Sequence, residues 1–290
     1  MLIHVTGANG QVGKEVLKAV SPLGKVYGSD VAEMNITDPN IVSEVIRKQK
    51  PDVVIHVAAL KGNQPSRNNP MEFFSVNTIG TINLLESCRV HGVGKFIFLS
   101  SLTVHGTSSS PVNESSPMAP IPPDPATKCS SEALLQSYSH SYGIRGVALR
   151  PNFIVGPIAA PIPYTDNLVY DFIQSIVNTG YIELAGTGEY QREWLHPKDV
   201  AHAAALAVMG HDTGCDAYIL SGERVSMAQL ADKVIGIIGR GFIKTRPDMP
   251  GFSLISNDTK AKDELGWQAD IDLDSLISEI WNEYKSRSNA

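Results

Sequence analysis

The first residues of the chain have types and spacing suited to holding a dinucleotide. A strand-like run, Leu2-Ile3-His4-Val5, leads into Thr6-Gly7-Ala8-Asn9-Gly10-Gln11-Val12-Gly13. An amphipathic stretch follows, with Val16, Leu17 and Val20 among its apolar positions. In such a loop the first glycine permits a tight turn and the second lets the backbone approach a pyrophosphate. The third lets the following helix pack on the strand, so that its N-terminal N–H groups face the phosphates. Gly7, Asn9, Gly10, Gln11, Val12 and Gly13 are therefore the candidate cofactor contacts. Asp30 ends a second strand-like run, Lys25-Val26-Tyr27-Gly28-Ser29, where an acid can accept hydrogen bonds from the adenosine ribose. An acid there repels a 2′-phosphate, so NAD is expected rather than NADP. The alternative is an aspartate that merely ends a strand.

A loop of this kind works only if a sheet carries it. Short apolar runs alternate with helical patterns through the first half. Strands are expected at 2–5, 25–28, 53–58, 95–99 and 146–149, and helices at 13–20, 41–48, 71–91 and 126–142. Fully apolar strands between helices indicate a parallel sheet covered on both faces. The expected fold is α/β, a Rossmann-type doubly wound parallel sheet with a smaller C-terminal substrate lobe. Ligands then sit at the strand carboxyl ends. Residues 1–155, with about 193–220, read as the NAD-binding domain, and 156–192 with 221–290 as the smaller lobe. In that second part, helices are expected at 167–179, 196–209, 227–238 and 273–285, and a strand at 217–220. Residues 107–125, rich in Ser and Pro and without periodicity, read as a long loop near the sheet's carboxyl edge.

Bulk properties narrow the partners. The 290 residues are 42% hydrophobic, enough for a sizeable core, and carry a net charge of −6, which argues against a nucleic-acid partner. No run has the unbroken apolar length of a membrane span, and no signal peptide is expected ahead of the first strand. Cys88, Cys129 and Cys215 are scattered, which gives neither a metal cluster nor a disulfide framework. A cytoplasmic protein with a small-molecule substrate, and without a metal or a membrane partner, is the expectation.

Together the motifs resemble extended short-chain dehydrogenases/reductases of the nucleotide-sugar epimerase/dehydratase type. The likeness rests on the glycine loop, Asn35-Ile36-Thr37-Asp38, His56-Val57-Ala58-Ala59-Leu60-Lys61, Asn77-x-x-Gly80, Ser100-Ser101-x-x-Val104-His105-Gly106 and Lys128-x-x-x-Glu132. It continues through Leu149-Arg150-Pro151, Gly156-Pro157, Gly186-x-Gly188-x-x-Gln191-Arg192, Asp199-Val200-Ala201 and Leu265-Gly266-Trp267. The resemblance implies NAD contacts at Asn35, Ile36, Ala58, Ala59, Lys61, Asn77 and Lys128, with Asn35 where an Asp usually meets the adenine. Asn77 can equally serve capping or packing. It also implies that Ser101 hydrogen-bonds the reacting sugar oxygen and that Lys128 holds the nicotinamide ribose. Arg192 would bind the substrate's diphosphate, with Arg246 as a second phosphate arginine and Asn152 near the substrate. A homodimer formed through the helices at 71–91 and 126–142 is implied as well.

Two departures stand out. The active site of the family reads Tyr-x-x-x-Lys, and four residues before Lys128 stands Asp124. The local run Pro122-Pro123-Asp124-Pro125 reads as a helix start, with Asp124 as the cap and Pro125 in first position. Tyr164, His105 and Lys61 are alternative proton carriers, and Lys128 acting alone is another; Tyr138 and Tyr142 lie too far along the helix. Phe153 stands where the family has the asparagine that touches the sugar nucleotide, with Asn152 one residue early. Two functions remain in play. One is hydride transfer on a nucleotide-activated sugar or related hydroxy/keto compound, with catalytic Ser101 and Lys128. The other is a non-catalytic NAD-binding redox sensor or partner subunit.

Overall fold

The computed structural model describes residues 1–157, 167–210 and 214–288. Its centre is a six-stranded sheet in the spatial order Cys215–Leu220, Arg145–Pro151, Lys95–Leu99, Val53–His56, Leu2–Thr6, Lys25–Ser29. Every neighbouring pair is parallel. Chain order reverses between Leu2–Thr6 and Val53–His56, which opens a crevice at their carboxyl ends. The expected α/β doubly wound sheet is thus borne out.

Alternation along the strands explains the two-sided cover. Ile3, Val5, Val53, Ile55, Ile97, Val147 and Leu149 face one core with Val12, Val16 and Val20 of the helix Gln11–Val20. The helix Pro197–Met209 joins them through Val200, Ala201, Ala204 and Ala205, small side chains that let the two helices pack closely. Val54, Phe96 and Phe98 face the other core, with Ile46, Leu84, Leu85 and Leu135. A third cluster gathers Val155, Val169, Phe172, Trp194, Val225, Leu230, Leu276 and Ile280 from the later part of the chain.

That later part holds more strand than periodicity predicts. Gln191–Leu195 is the middle strand of a three-stranded sheet with Glu223–Ser226 and Phe153–Ile154. Tyr181–Ala185 pairs with Phe242–Arg246. The expected long loop at 107–125 is corrected in one respect, because Ser108–Val112 is a strand lying parallel to Leu254–Ser256. Its run of serines carries no alternation, and the partner that makes it a strand comes from far along the chain.

Two helices differ from expectation in ways that matter for the site. The helix expected at 71–91 starts at Pro70 and passes through a π-helical turn, Phe74–Ile79, before continuing as Gly80–His91. Such turns displace one side chain out of the usual register, and here the displaced segment carries Asn77. The helix expected at 126–142 starts earlier, at Pro123, with Pro122 as its N-cap residue. Asp124 is therefore a first-turn residue rather than the cap, and Pro125 is not the first helical position.

Candidate active site

The glycine loop closes the crevice at the reversal point. Gly7 has φ +67°, and a Cβ there would lie 2.7 Å from the backbone of Ala58 on the neighbouring strand's extension. A Cβ on Gly13 would lie 2.0 Å from the Gly7 carbonyl oxygen, so only glycine lets the helix pack against the turn. Gly10 is the N-cap residue of that helix, and no side chain caps it. Its first N–H groups thus suit an anion at the helix N-terminus. The Asp30 carboxylate accepts from the N–H of Asn9 at 3.0 Å and of Val31 at 2.9 Å, which fixes the loop to the second strand. A carboxylate retains acceptor capacity beyond two bonds, so these contacts are compatible with ribose hydroxyls. Gln11 reaches across to the Pro157 carbonyl at 3.0 Å. This shape and donor set fit a dinucleotide.

Asn35 behaves differently. Its amide oxygen accepts from Thr37 N at 3.1 Å and Thr37 Oγ1 at 2.9 Å, so the acceptor expected for an adenine is already used in a local turn. Ile36 is buried, and its side chain would meet a Cβ on Gly80 at 2.6 Å.

Beneath the loop runs a buried polar chain. Thr6 Oγ1 bonds His56 Nδ1 at 2.8 Å, and His56 Nε2 bonds Thr81 Oγ1 at 3.0 Å. Burial, helped by the charge of Lys128, pushes the His56 imidazolium down to about 3, so the ring is neutral. Thr6 Oγ1 also accepts from Ala58 N at 3.2 Å. Asn77 holds the next residues of that segment: its Oδ1 accepts from Leu60 N at 2.8 Å, and its Nδ2 donates to Leu60 O and Thr127 Oγ1, each at 3.0 Å. Asp124 continues the tether, its carboxylate accepting from Gly62 N at 2.8 Å. Lys61 lies exposed between these two anchors, and Ala58 and Ala59 are half-buried just before them.

At the end of the strand Lys95–Leu99, Lys128 is buried and donates to the Leu99 carbonyl at 2.8 Å. Burial lowers its ammonium below the usual lysine range, opposed in part by the negative charges of Asp124 and Glu132. Ser101 caps the short turn Leu102–His105 and bonds Thr103 Oγ1 at 2.8 Å. Behind it, Glu132 accepts from Ser100 and forms a buried ion pair with Arg150 at 2.7 Å. Arg150 Nη1 donates to His105 Nε2 at 3.3 Å, which leaves His105 Nδ1–H to donate to Pro117 O at 3.2 Å. That geometry requires a neutral imidazole used on both sides, and burial lowers its basicity. Both ring nitrogens of His105 are thus engaged by the framework. Tyr138 bonds Glu86 and Tyr142 packs on Arg89, both directed away from Lys128 as expected. Tyr164 lies outside the described residues.

The substrate candidates separate. Asn152 is buried and donates to Glu193 at 2.7 Å while its oxygen accepts from Phe153 N at 3.0 Å. Arg246 is exposed and paired with Asp248 at 3.2 Å and Glu183 at 3.3 Å. Arg192 instead lies over the rings of Phe252 and Phe153, at 4.5 and 4.6 Å. Sequence reasoning missed Thr103, Thr127 and the aromatic surroundings of Arg192. The quoted motifs flank the threonines, but nothing marked Phe252.

Residues 3–219 match the NAD dependent epimerase/dehydratase family. The chain belongs to that family. Its expected cofactor, NAD, accords with this membership. Among relatives, a dTDP-glucose 4,6-dehydratase of Streptomyces niveus is 26% identical, covering 97% of this chain and 92% of the relative. A UDP-glucose 4-epimerase of Lacticaseibacillus casei is 28% identical over 91% of this chain and 85% of its own. The structure of a UDP-glucose 4-epimerase from Thermotoga maritima, solved with UDP-glucose, superimposes with a TM-score of 0.89 at 26% identity, covering 99% of this chain and 100% of that one. Among the described residues, no helix is long and apolar enough to cross a membrane.

Proposed function

We propose that the chain is an NAD-dependent oxidoreductase of the epimerase/dehydratase type acting on a nucleotide-activated sugar. Residues 1–155 with about 193–220 hold the cofactor, and 156–192 with 221–290 hold the substrate. Bound NAD supplies the site for hydride transfer to and from a sugar carbon. The chain's own residues then manage the proton on the sugar oxygen. The observation that carries this reading is the placement of Lys128, a buried ammonium anchored on Leu99 at the carboxyl end of the sheet, two residues before Ser101. Ser101 Oγ orients the reacting hydroxyl, and Lys128 exchanges its proton in place of a phenol. A lysine displaced downward from its usual range is better matched to that task than a fully exposed one. Family likeness also supports a homodimer, and exposed Met71, Ile79 and Val90 on the first of the two long helical segments are suitable contacts. Free Cys88, Cys129 and Cys215 are compatible with the cytoplasm.

One observation favours the second reading, a non-catalytic NAD-binding sensor or partner subunit: the residue at the tyrosine position spends its carboxylate on Gly62 N. Turnover of a panel of UDP-, dTDP- and GDP-sugars separates the two. We expect turnover, and Lys128→Ala is expected to lower kcat at least about a hundredfold while the protein still binds NAD. Intact NAD binding without turnover across the panel makes the sensor reading correct. Absence of NAD(H) binding by calorimetry sinks both.

A further inference from the structure

Arg192 is a half-buried cation whose nearest acidic neighbour in sequence is committed elsewhere. On the strand Gln191–Leu195, Glu193 faces away from it and takes Arg224 at 2.6 Å and Asn152 at 2.7 Å. Ser256 also donates its hydroxyl and N–H to Glu193. Among the described residues no carboxylate pairs with Arg192, and its Nε is buried without a hydrogen-bond partner. Rings take the place of a counter-ion: Phe252 at 4.5 Å, Phe153 at 4.6 Å and Tyr190 at 5.6 Å from the guanidinium carbon. Phe153 is itself backed by Trp194, with centroids 5.5 Å apart. Tyr190 is held flat by Gly251, where a Cβ would fall 2.1 Å from the ring.

Removing a cation from water without a partner anion is costly, and ring quadrupoles offset only part of that cost. Stacked rings also leave the N–H edges of a guanidinium unoccupied. A carboxylate partner would compete with an incoming phosphate for those edges, and an aromatic ring does not.

We propose that Phe153 and Phe252 are positioning residues that hold Arg192 as a preformed clamp for the diphosphate of the substrate. This rests on the nucleotide-sugar reading above and adds what orients the arginine. Phe153 comes from the strand beside Gln191–Leu195 and Phe252 from the segment preceding Leu254–Ser256, so the clamp closes only when both segments are in place.

Calorimetry with UDP, and separately with inorganic pyrophosphate, on the full chain in saturating NAD tests the clamp. Phe153→Ala and Phe252→Ala are each expected to weaken both ligands about tenfold, with NAD affinity unchanged. Phe153→Tyr and Phe252→Tyr should bring affinity back to within about twofold. In an Arg192→Ala background the ring substitutions should have no further effect. Wild-type affinity in both alanine variants overturns the clamp, as does a further loss without Arg192 or a wild-type chain that binds neither ligand. Should Phe153→Ala fail to fold, Phe252, 40% exposed, carries the same test. Failure of the two proposals is distinguishable. Ring-dependent pyrophosphate binding without sugar turnover upholds the clamp and removes the proposed function. Sugar turnover with ring-independent UDP binding does the reverse.

Discussion

The glycine-loop end and the Lys128 end of the crevice are built from different materials. The glycine-loop end is backbone: Gly7 at φ +67°, Gly13 against the Gly7 carbonyl, and the uncapped start of Gln11–Val20. The Lys128 end is made of side chains, and several are committed to neighbours. Asp124 bonds Gly62 N, Asn152 bonds Glu193, and His105 lies between Arg150 and Pro117. A backbone cradle changes only if the chain path changes, whereas a side chain can be reassigned by one substitution with the fold intact. The glycine cradle and the residue four before Lys128 can therefore change independently of each other.

The sharpest way to break that comparison is to put a side chain into the cradle. Gly13→Ala places a Cβ 2.0 Å from the Gly7 oxygen and 2.8 Å from its carbonyl carbon, both backbone atoms that cannot swing aside. We expect a loss of about 3 kcal/mol or more in stability and of measurable NAD binding. Gly10→Ala is the control: its Cβ would meet the same oxygen at 3.2 Å, a contact that small adjustments relieve. Thermal melts and NAD titrations of the two variants should differ widely. Equal behaviour would mean that the cradle is softer than its geometry implies.

A second test concerns what lies beneath the cradle. His56 is neutral when folded, with its charged form pushed down to about 3, and regains an ordinary value near 6.5 when unfolded. Between those two values the unfolded chain binds the extra proton, so stability rises with pH across that window and falls as acid is added. The contribution of His56 is about 1.4 kcal/mol per pH unit at most, fully present above about pH 6.5 and lost toward pH 3. Urea midpoints measured from about pH 7 down to about pH 4 should fall more steeply for the wild type than for His56→Gln. Parallel curves would show that His56 takes up its proton without unfolding.

These contrasts also explain what was legible in the sequence. Strands such as Val53–His56 and Lys95–Leu99 were readable because they are apolar on both faces, as a doubly covered parallel sheet requires. The glycine loop was readable because its constraint is local: Gly7, Gly10 and Gly13 meet one another within a few residues. Ser108–Val112 was not readable, because its partner Leu254–Ser256 is remote and its own residues do not alternate. The π-helical turn at Phe74–Ile79 left no mark in the apolar pattern, although it sets Asn77 onto Leu60. Asp124 shows the limit most clearly. The proline-marked helix start predicts it as the cap, whereas Pro122 holds that position. Its actual partner, Gly62 N, belongs to another segment.

That partner turns the smallest expected effect into an informative one. Asp124→Asn keeps an oxygen in reach of Gly62 N and removes only the charge, in the first turn of a helix where a negative charge is favoured. The expected cost is about 0.5–1 kcal/mol of stability, with turnover unchanged within about twofold, because an amide tethers as a carboxylate does but cannot exchange a proton. If the carboxylate were the group that replaces the tyrosine, the same variant would lose about a hundredfold or more in kcat with little change in melting temperature. Asp124→Tyr probes the position from the other side. It restores a phenol one helical turn from Lys128 but leaves the buried Gly62 N–H without its acceptor, at a cost of about 1–3 kcal/mol. Its rate and its melting temperature should therefore move in opposite directions. A variant that gained both would show that the tether contributes nothing, and that the substitution at position 124 has no structural compensation.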